Sequence, residues 1–131
     1  MFTLTKRYTF EASHQLKHHD GKCARLHGHS WAFTIRICGL MNEAFGAKQN
    51  MVMDYGDISA IVKPVWDDTL DHHHLNDTLG VEMPTSEYVA RYLFHVFAGA
   101  VKEKSGGGCW LDSVTVEETC TSSCTYQDTA P

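Results

Sequence analysis

Two segments of alternating apolar and polar residues flank a histidine-rich loop, and this arrangement constrains the fold more than any other feature of the chain. Apolar side chains recur at mostly two-residue spacing within residues 2–10 and again within residues 31–37. This period is typical of half-buried β-strands. The intervening residues are polar and contain the turn signal Asp20-Gly21. We therefore predict a β-hairpin with a long connecting loop, and loops of this length are more often functional than idle.

Two later segments have helical periodicity. Residues 54–67 begin with an aspartate that can cap a helix and contain Pro64, where we expect a kink. The second helix has Thr85 or Ser86 as its N-cap and ends before the glycines 106–108. Its predicted apolar stripe comprises Tyr88, Val89, Tyr92, Leu93, Val96 and Phe97.

Strand signals return near the end of the sequence. Residues 110–116 predict a third strand, and residues 125–126 indicate a short fourth one. The hydrophobic content of 43% and the charged content of 21% are typical of a globular protein. We therefore predict one α+β domain over residues 1–131, of order β-β-α-α-β-β, with an antiparallel four-stranded sheet and two helices on one face.

Charge and cysteine usage restrict the class of partner and the compartment. The formal charge of -5 argues against nonspecific binding to nucleic acid or anionic lipid. No window approaches 18 consecutive apolar residues, and residues 1–12 do not resemble a signal peptide. The five cysteines form no CxxC pair, which fits reduced thiols. We expect a cytoplasmic protein with neither nucleic acid nor a membrane as its partner.

Five of the nine histidines fall within sixteen residues, where chance would place about one. In extended backbone, His27 and His29 point to the same sheet face, and the hairpin brings His14 opposite them. Three imidazoles with one open position are a ligand set of catalytic zinc sites. The sequence therefore predicts Zn²⁺ on these three residues. For His18 and His19 a solvated loop is the preferred interpretation.

Cys23 lies four residues before His27 and between the basic residues Lys22 and Arg25. Nearby positive charge and a metal would favour its thiolate. Cys23 is then a general base or nucleophile, or alternatively a fourth ligand that closes a structural zinc site. The loop is locally basic, so it would attract a small anionic substrate.

Acidic residues supply two further candidates. Asp71 precedes the histidines 72–74, and an adjacent acid can orient an imidazole for proton transfer, although a solvated loop is an equal interpretation. Glu117 and Glu118 end the third strand, where alternation points one of them inward. An inward carboxylate can accept two hydrogen bonds from an N–H-rich heterocycle, but a charged strand end is the safer interpretation.

Five motifs, in order along the chain, resemble those of the 6-pyruvoyl-tetrahydropterin synthase superfamily. They are Phe-Glu-Ala-Ser-His at 10–14, Cys-Ala-Arg-Leu-His-Gly-His at 23–29, Leu-Asp-His-His at 70–73, Pro-Thr-Ser-Glu at 84–87 and Glu-Thr-Cys at 118–120. The Cys-x-x-x-His-Gly-His spacing is similar to that of the bacterial 6-carboxytetrahydropterin synthases of queuosine biosynthesis. As a set the motifs are specific, although His-Gly-His alone would be a weak signal.

The resemblance implies a tunnelling fold, or T-fold, in which protomers join sheet edges into a barrel and commonly stack as a hexamer. Joining edges would also remove the exposed strand edges of a small sheet. The resemblance further implies a role for each matching residue. These are zinc ligation by His14, His27 and His29, proton abstraction by Cys23, proton delivery by Asp71 and His72, pterin anchoring by Glu118, and lining of the pterin pocket by Thr85, Ser86 and Glu87.

The reaction that the resemblance implies converts 7,8-dihydroneopterin triphosphate to 6-carboxy-5,6,7,8-tetrahydropterin, acetaldehyde and triphosphate. Such an internal rearrangement needs no redox cofactor. Two other interpretations stay open from the residues themselves. One is a pyruvoyl-type pterin lyase that uses the same constellation, and the other is a noncatalytic zinc-binding protein.

Overall fold

Two long antiparallel strands form the centre of the sheet. The computed structural model describes residues 1–128. Strands β1 (Phe2–His14) and β2 (His27–Gly39) pair along their whole length, in a register that sets His14 opposite His27. The loop between them contains one 3-10 turn at Lys22–Ala24. The predicted hairpin with a long connection is therefore confirmed.

Three shorter strands complete the sheet. They are β3 (His73–His74), β4 (Cys109–Thr119) and β5 (Ser122–Tyr126). The strand order is β3-β1-β2-β4-β5, and only the β1/β3 pair is parallel. The sheet is thus mixed and five-stranded, where the sequence predicted four antiparallel strands. A strand of two residues is too short to leave a recognisable period, so β3 had no sequence signal.

The first helix begins and ends where local chemistry dictates. Helix α1 (Tyr55–Val65) has Asp54 as its N-cap, and the Asp54 side chain accepts a hydrogen bond from the N–H of Gly56. Pro64 lies at its last turn and has no N–H to continue the helical ladder. The chain changes there to a π-helical segment, Trp66–Leu70. The expected disturbance at Pro64 is therefore a change of helix type.

Two more helices follow along the chain. Helix α2 (Leu75–Leu79) is a short helix that the sequence did not predict. Helix α3 (Ser86–Ser105) begins at Thr85, whose Oγ1 accepts from the N–H of Tyr88. It ends at Gly106, which has a φ of 63°, a conformation that glycine adopts without strain. Both ends of α3 agree with the prediction.

The core lies between one face of the sheet and the helices α1 and α3, so the predicted placement of the two long helices on one face is confirmed. Inward side chains alternate along β2 and β4 and recur at helical spacing along α3. Val96 is an exception, because it was predicted to lie on the apolar stripe of α3 and is 37% exposed. Phe94, not included in that stripe, is buried instead. Across residues 1–128 no helix combines the length and the apolarity needed to cross a bilayer.

Candidate metal centre and active site

The end of β1, the start of β2 and the end of β4 meet at one end of the sheet and carry most of the predicted site. Ligand atoms of His14, His27, His29 and Glu118 lie within 4.8 Å of one another. The hairpin register sets His14 opposite His27, and the two-residue period brings His29 to the same face. The structure therefore brings together the three histidines that the spacing singled out.

Backbone carbonyl groups orient two of these imidazoles. Nδ1 of His14 lies 2.9 Å from the carbonyl oxygen of Pro84, and Nδ1 of His27 lies 2.6 Å from that of Arg25. A carbonyl oxygen only accepts, so both Nδ1 atoms must donate. In each neutral ring Nε2 then presents a lone pair. The two Nε2 atoms face each other at 3.0 Å.

The converging atoms form a site that a metal ion or a shared proton would stabilise. Oε1 of Glu118 lies 3.0 Å from Nε2 of His14 and 3.4 Å from Nε2 of His29. Nε2 of His29 is buried and has no hydrogen-bond partner among the described residues. Acceptor atoms this close repel unless they share a proton or a metal ion. Tetrahedral zinc with bonds of about 2.1 Å would set its ligand atoms about 3.4 Å apart, so the donor set fits the ion.

The buried ring of Trp31 packs against the three-histidine cluster. Its ring is fully buried and meets the rings of His14 and His29 edge to face, with centroids 4.9 and 5.6 Å apart. The indole N–H of Trp31 donates to the carbonyl oxygen of Ala12. A wall of this kind keeps water from the inner side of the imidazoles and limits their rotation.

Glu118 is the inward-pointing member of the glutamate pair. Its neighbour Glu117 reaches Arg7 at 3.4 Å, with the opposite orientation. When Nε2 of His14 carries a proton, its hydrogen bond to Glu118 holds the pKa of that carboxyl below its usual range, against the effect of burial. Burial lowers the pKa of His29, and the Glu118 charge opposes that shift. The fourth ligand-type group at the centre is therefore this carboxylate.

Asp71 and His72 form a hydrogen-bonded pair that is attached to the edge of β1. Nδ1 of His72 lies 2.7 Å from Oδ2 of Asp71. The N–H of Glu11 donates to Oδ1 of Asp71 at 2.9 Å, and the carbonyl of Glu11 accepts from the N–H of His72. His72 has a φ of 59°, a left-handed conformation that is uncommon outside glycine and often occurs at functional sites. His72 and His29 line the same open cleft, with a volume of about 600 Å³.

Cys23 lies on the 3-10 turn of the loop and is partly exposed. It is not part of the four-residue ligand group. Among the described residues, no hydrogen bond or ion pair joins Cys23 to Asp71 or His72. Within residues 1–128, one chain therefore holds the candidate metal centre and the acid-histidine pair, and neither a hydrogen bond nor an ion pair links the thiol to that pair.

The segment at the start of α3 borders the centre through its backbone. Pro84 supplies the carbonyl that binds His14, and Thr85 caps the helix. Ser86 and Glu87 are hydrogen-bonded to each other at 2.7 Å. The Thr85 and Ser86 side chains are half-buried and Glu87 is exposed.

Sequence reasoning missed the polar groups that hold the site in place. The carbonyl groups of Pro84 and Arg25 have no side-chain signature, so no motif could have found them. His18, interpreted as solvated, lies 2.5 Å from Glu82. Asn76 is a buried amide next to the predicted proton-transfer motif and bonds to the histidine loop.

The fold and the site together define a small α+β protein with a three-histidine candidate metal centre at one end of its sheet. A family model described as 6-pyruvoyl tetrahydropterin synthase matches residues 3–129. The chain belongs to this family, as its motifs predicted.

Relatives that match along nearly their whole length include two curated proteins and one solved structure. A 6-carboxy-5,6,7,8-tetrahydropterin synthase from Synechocystis is 42% identical over 126 residues, with 96% of this chain and 93% of the relative covered. The synthase of that name from Haemophilus influenzae is 33% identical, with 98% and 100% covered. The structure of Caenorhabditis elegans 6-pyruvoyl tetrahydropterin synthase matches with a TM-score of 0.78 and 27% identity, covering 98% of this chain and 96% of that one. The predicted T-fold is thereby confirmed.

Proposed function

We propose that this chain is a 6-carboxy-5,6,7,8-tetrahydropterin synthase, converting 7,8-dihydroneopterin triphosphate and one water molecule to the carboxypterin, acetaldehyde and triphosphate. The observation that carries the proposal is the 42% identity, along nearly the whole chain, to a protein of that name. The converging imidazoles provide a candidate metal site at which the reaction can take place. The pathway that we propose for this activity is queuosine biosynthesis.

Zinc is the metal that we propose for His14, His27 and His29. Three neutral imidazoles are a common set for a catalytic zinc ion, and the ring orientations leave each Nε2 available. When bound, zinc supplies Lewis acidity toward the side-chain oxygens of the substrate. The carboxylate of Glu118 is about one-third exposed and can turn away once a cation neutralises the imidazole lone pairs.

Cys23 is our proposed proton-abstracting base. Its thiol is partly exposed on the loop between β1 and β2, and a thiolate is the form of cysteine that can take a proton from a substrate. Replacing Cys23 with alanine should leave zinc binding intact and lower turnover by about 10²- to 10⁴-fold, the usual contribution of a general base. The matched control is Cys120→Ala, because Cys120 is an exposed thiol on the β4–β5 turn. Unchanged turnover in Cys23→Ala would remove this residue from the mechanism.

Asp71 and His72 are our proposed proton-delivery pair. The bond from Nδ1 of His72 to Asp71 leaves Nε2 of the exposed ring for a substrate proton. We further propose that Glu118 anchors the pterin ring and that Thr85, Ser86 and Glu87 line its pocket. A carboxylate can accept two parallel N–H bonds from the pterin edge.

A homo-oligomer, commonly a hexamer in such a fold, is our proposal for the assembly. Strand β5 is an edge strand, and β1 has β3 beside it only at Ala12 and Ser13. Unpaired edges of this kind favour pairing with another copy. Among residues 1–128 no hydrogen bond or ion pair joins Cys23 to Asp71 or His72, which is compatible with a site that a neighbouring protomer completes.

We propose that the chain acts as one domain in the cytoplasm. One hydrophobic cluster joins both long helices to the sheet, and the five cysteines are free thiols, as a reducing compartment requires. The last three residues of the predicted domain, 129–131, lie outside the described residues.

Product analysis tests the proposed function. Zinc-loaded protein is incubated with 7,8-dihydroneopterin triphosphate, and the pterin and volatile products are identified by mass. The 6-carboxy product with one acetaldehyde per turnover is the expected result. A 6-pyruvoyl product without acetaldehyde would assign the pyruvoyl-type activity instead. Zinc binding with no pterin binding would indicate a noncatalytic zinc protein.

A further inference from the structure

The loop that carries Cys23 is fastened at its first residue, Gln15, which directly follows His14. The N–H of Gln15 donates to Oδ1 of Asn76 at 2.8 Å, and its carbonyl accepts from Nδ2 of Asn76 at 2.7 Å. One side-chain amide thus satisfies both backbone groups of a single residue. Asn76 is only 6% exposed, so water cannot readily replace these bonds.

Gln15 passes this constraint to the residues around the thiol. Its side-chain Nε2 donates to the carbonyl of Ala24 at 2.9 Å. The next residue, Leu16, donates its N–H to the carbonyl of Cys23 at 2.8 Å. The backbone position of Cys23 therefore depends on two residues whose own position Asn76 fixes.

Asn76 itself is well placed to act as an anchor. It lies in the first turn of α2 beside Leu75, which is fully buried in the core. Its Nδ2 also approaches the carbonyl of Glu82 at 3.4 Å, and that carbonyl accepts from the N–H of Lys17. The amide thus joins the loop to the core and to the segment before α3.

We propose that Asn76 is a positioning residue for Cys23, acting through the backbone and side chain of Gln15. The inference rests on the proposed function, in which Cys23 removes a substrate proton. Asn76 carries no charge and transfers no proton, so its effect is geometric. Because a displacement of about 1 Å at a reacting group can cost roughly 100-fold in rate, loosening the loop should act mainly on kcat.

The test compares Asn76→Ala and Asn76→Asp with the wild type as the full chain. We expect kcat to fall by about 10- to 100-fold, with smaller changes in KM. Asn76→Asp keeps the acceptor for the Gln15 N–H but turns a buried carboxylate oxygen toward the carbonyls of Gln15 and Glu82, so it should lose at least as much as Asn76→Ala. Two readouts are independent of activity: hydrogen exchange of the Leu16 amide and alkylation of Cys23 by iodoacetamide, followed by peptide mass spectrometry. Both should become faster, while alkylation of the exposed Cys120 stays unchanged.

Two further variants separate this role from general stability. Gln15→Met keeps the side-chain length and removes only the bond to the Ala24 carbonyl, so it tests the loop if Asn76→Ala does not fold. It should raise Cys23 alkylation and lower kcat in the same direction. Thr78→Val is the matched control, because it removes a side-chain bond from α2 to Thr69 and touches no residue of the loop.

The outcomes distinguish the positioning role from the proposed function. Faster Leu16 exchange and Cys23 alkylation in Asn76→Ala and Gln15→Met, but not in Thr78→Val, support the positioning role even if the wild type does not turn over the pterin. The positioning role would be overturned if Asn76→Ala and Gln15→Met both kept the wild-type rate of Leu16 exchange, the wild-type rate of Cys23 alkylation and the wild-type kcat. Equal effects in Thr78→Val would overturn it as well, since they would reduce Asn76 to a contributor to folding.

Discussion

At the scale of single residues, the imidazole pattern could be predicted because it follows from strand geometry. Two histidines at i and i+2 must share a face, and a hairpin in the observed register places His14 opposite His27. The groups that orient these imidazoles could not be predicted. They are the backbone carbonyls of Pro84 and Arg25, and since every residue has such a carbonyl, no sequence pattern marks these two. The approach of Glu118 to His14 was equally hidden, since it depends on how β4 pairs with β2.

Loss of one imidazole should remove most of the metal affinity. In His29→Ala we expect zinc affinity to fall by at least about 100-fold, since loss of a supporting partner alone costs 10- to 100-fold. His29 is preferable to the fully buried His14, whose removal would leave a cavity. Equilibrium dialysis with metal analysis measures the change. His95→Ala is the control, because His95 is exposed and, within residues 1–128, its side chain bonds to Tyr126 alone. Wild-type affinity in His29→Ala would exclude His29 as a ligand.

The Asp71 carboxylate predicts a pH dependence of stability. The hydrogen bond from the Glu11 N–H, together with that from His72, holds the pKa of Asp71 below its ordinary value of 3.8. The folded pKa is thus below the unfolded one, so the charged form stabilises the fold above about pH 4. This contribution is lost as the pH falls through the depressed value. Urea unfolding from pH 7 to pH 3 should therefore show Asp71→Asn less stable than wild type at pH 7, with the difference shrinking in acid.

Asp68, an exposed residue near Asp71, provides the reference for these unfolding measurements. Asp68→Asn removes an equivalent charge from a solvent-exposed position, and its effect should vary little with pH. If the difference in unfolding free energy between wild type and Asp71→Asn stayed constant down to pH 3, the proposed link between the lowered pKa of Asp71 and stability would be wrong.

At the scale of elements, long periodic segments were predictable and short ones were not. Strands β1, β2 and β4 and helices α1 and α3 each repeat their apolar pattern several times, so local sequence and tertiary packing agree. Strand β3 and helix α2 span two and five residues. Their conformation comes from pairing with β1 and from the buried Leu75, both of which are tertiary effects.

Two glycines in different elements should respond in opposite directions to alanine. A Cβ on Gly39, at the end of β2, would lie 2.5 Å from Cβ of Cys109 and 2.9 Å from the carbonyl oxygen of Gly108. Gly39→Ala should therefore destabilise the protein by about 1–3 kcal/mol. Gly99 lies in α3, where an added methyl group would meet no atom beyond its own helix within 4 Å. Gly99→Ala should stabilise by about 0.5–1 kcal/mol through helix propensity. Denaturant unfolding checks both, and a stabilising Gly39→Ala would refute the close approach.

At the scale of the whole molecule, the chain forms a candidate metal centre at one end of a sheet whose outer edges have no partner strand within residues 1–128. Sequence motifs identified the family, but no pattern within one chain states how many copies assemble or which protomer supplies each group. Because no hydrogen bond or ion pair joins Cys23 to the Asp71–His72 pair among the described residues, we include assembly in the proposed chemistry.

Light scattering coupled to size exclusion should therefore find a stable oligomer at micromolar concentration, with a mass six times that of one chain. Edge pairing buries backbone groups that are otherwise left to water, so the assembly should persist on dilution. Gly99→Ala, whose change lies at an exposed position of α3 and in neither edge strand, should give the same mass. A monomer that is fully active would contradict the shared site.

The most direct test of the central claim is the yield of 6-carboxytetrahydropterin as a function of zinc content in the same protein sample. The three-histidine centre predicts no product from chelator-treated protein, and a linear rise that ends at one zinc per chain. Full turnover in protein free of metal, or a rise that continues beyond one equivalent, would contradict the assignment of the chemistry to His14, His27 and His29.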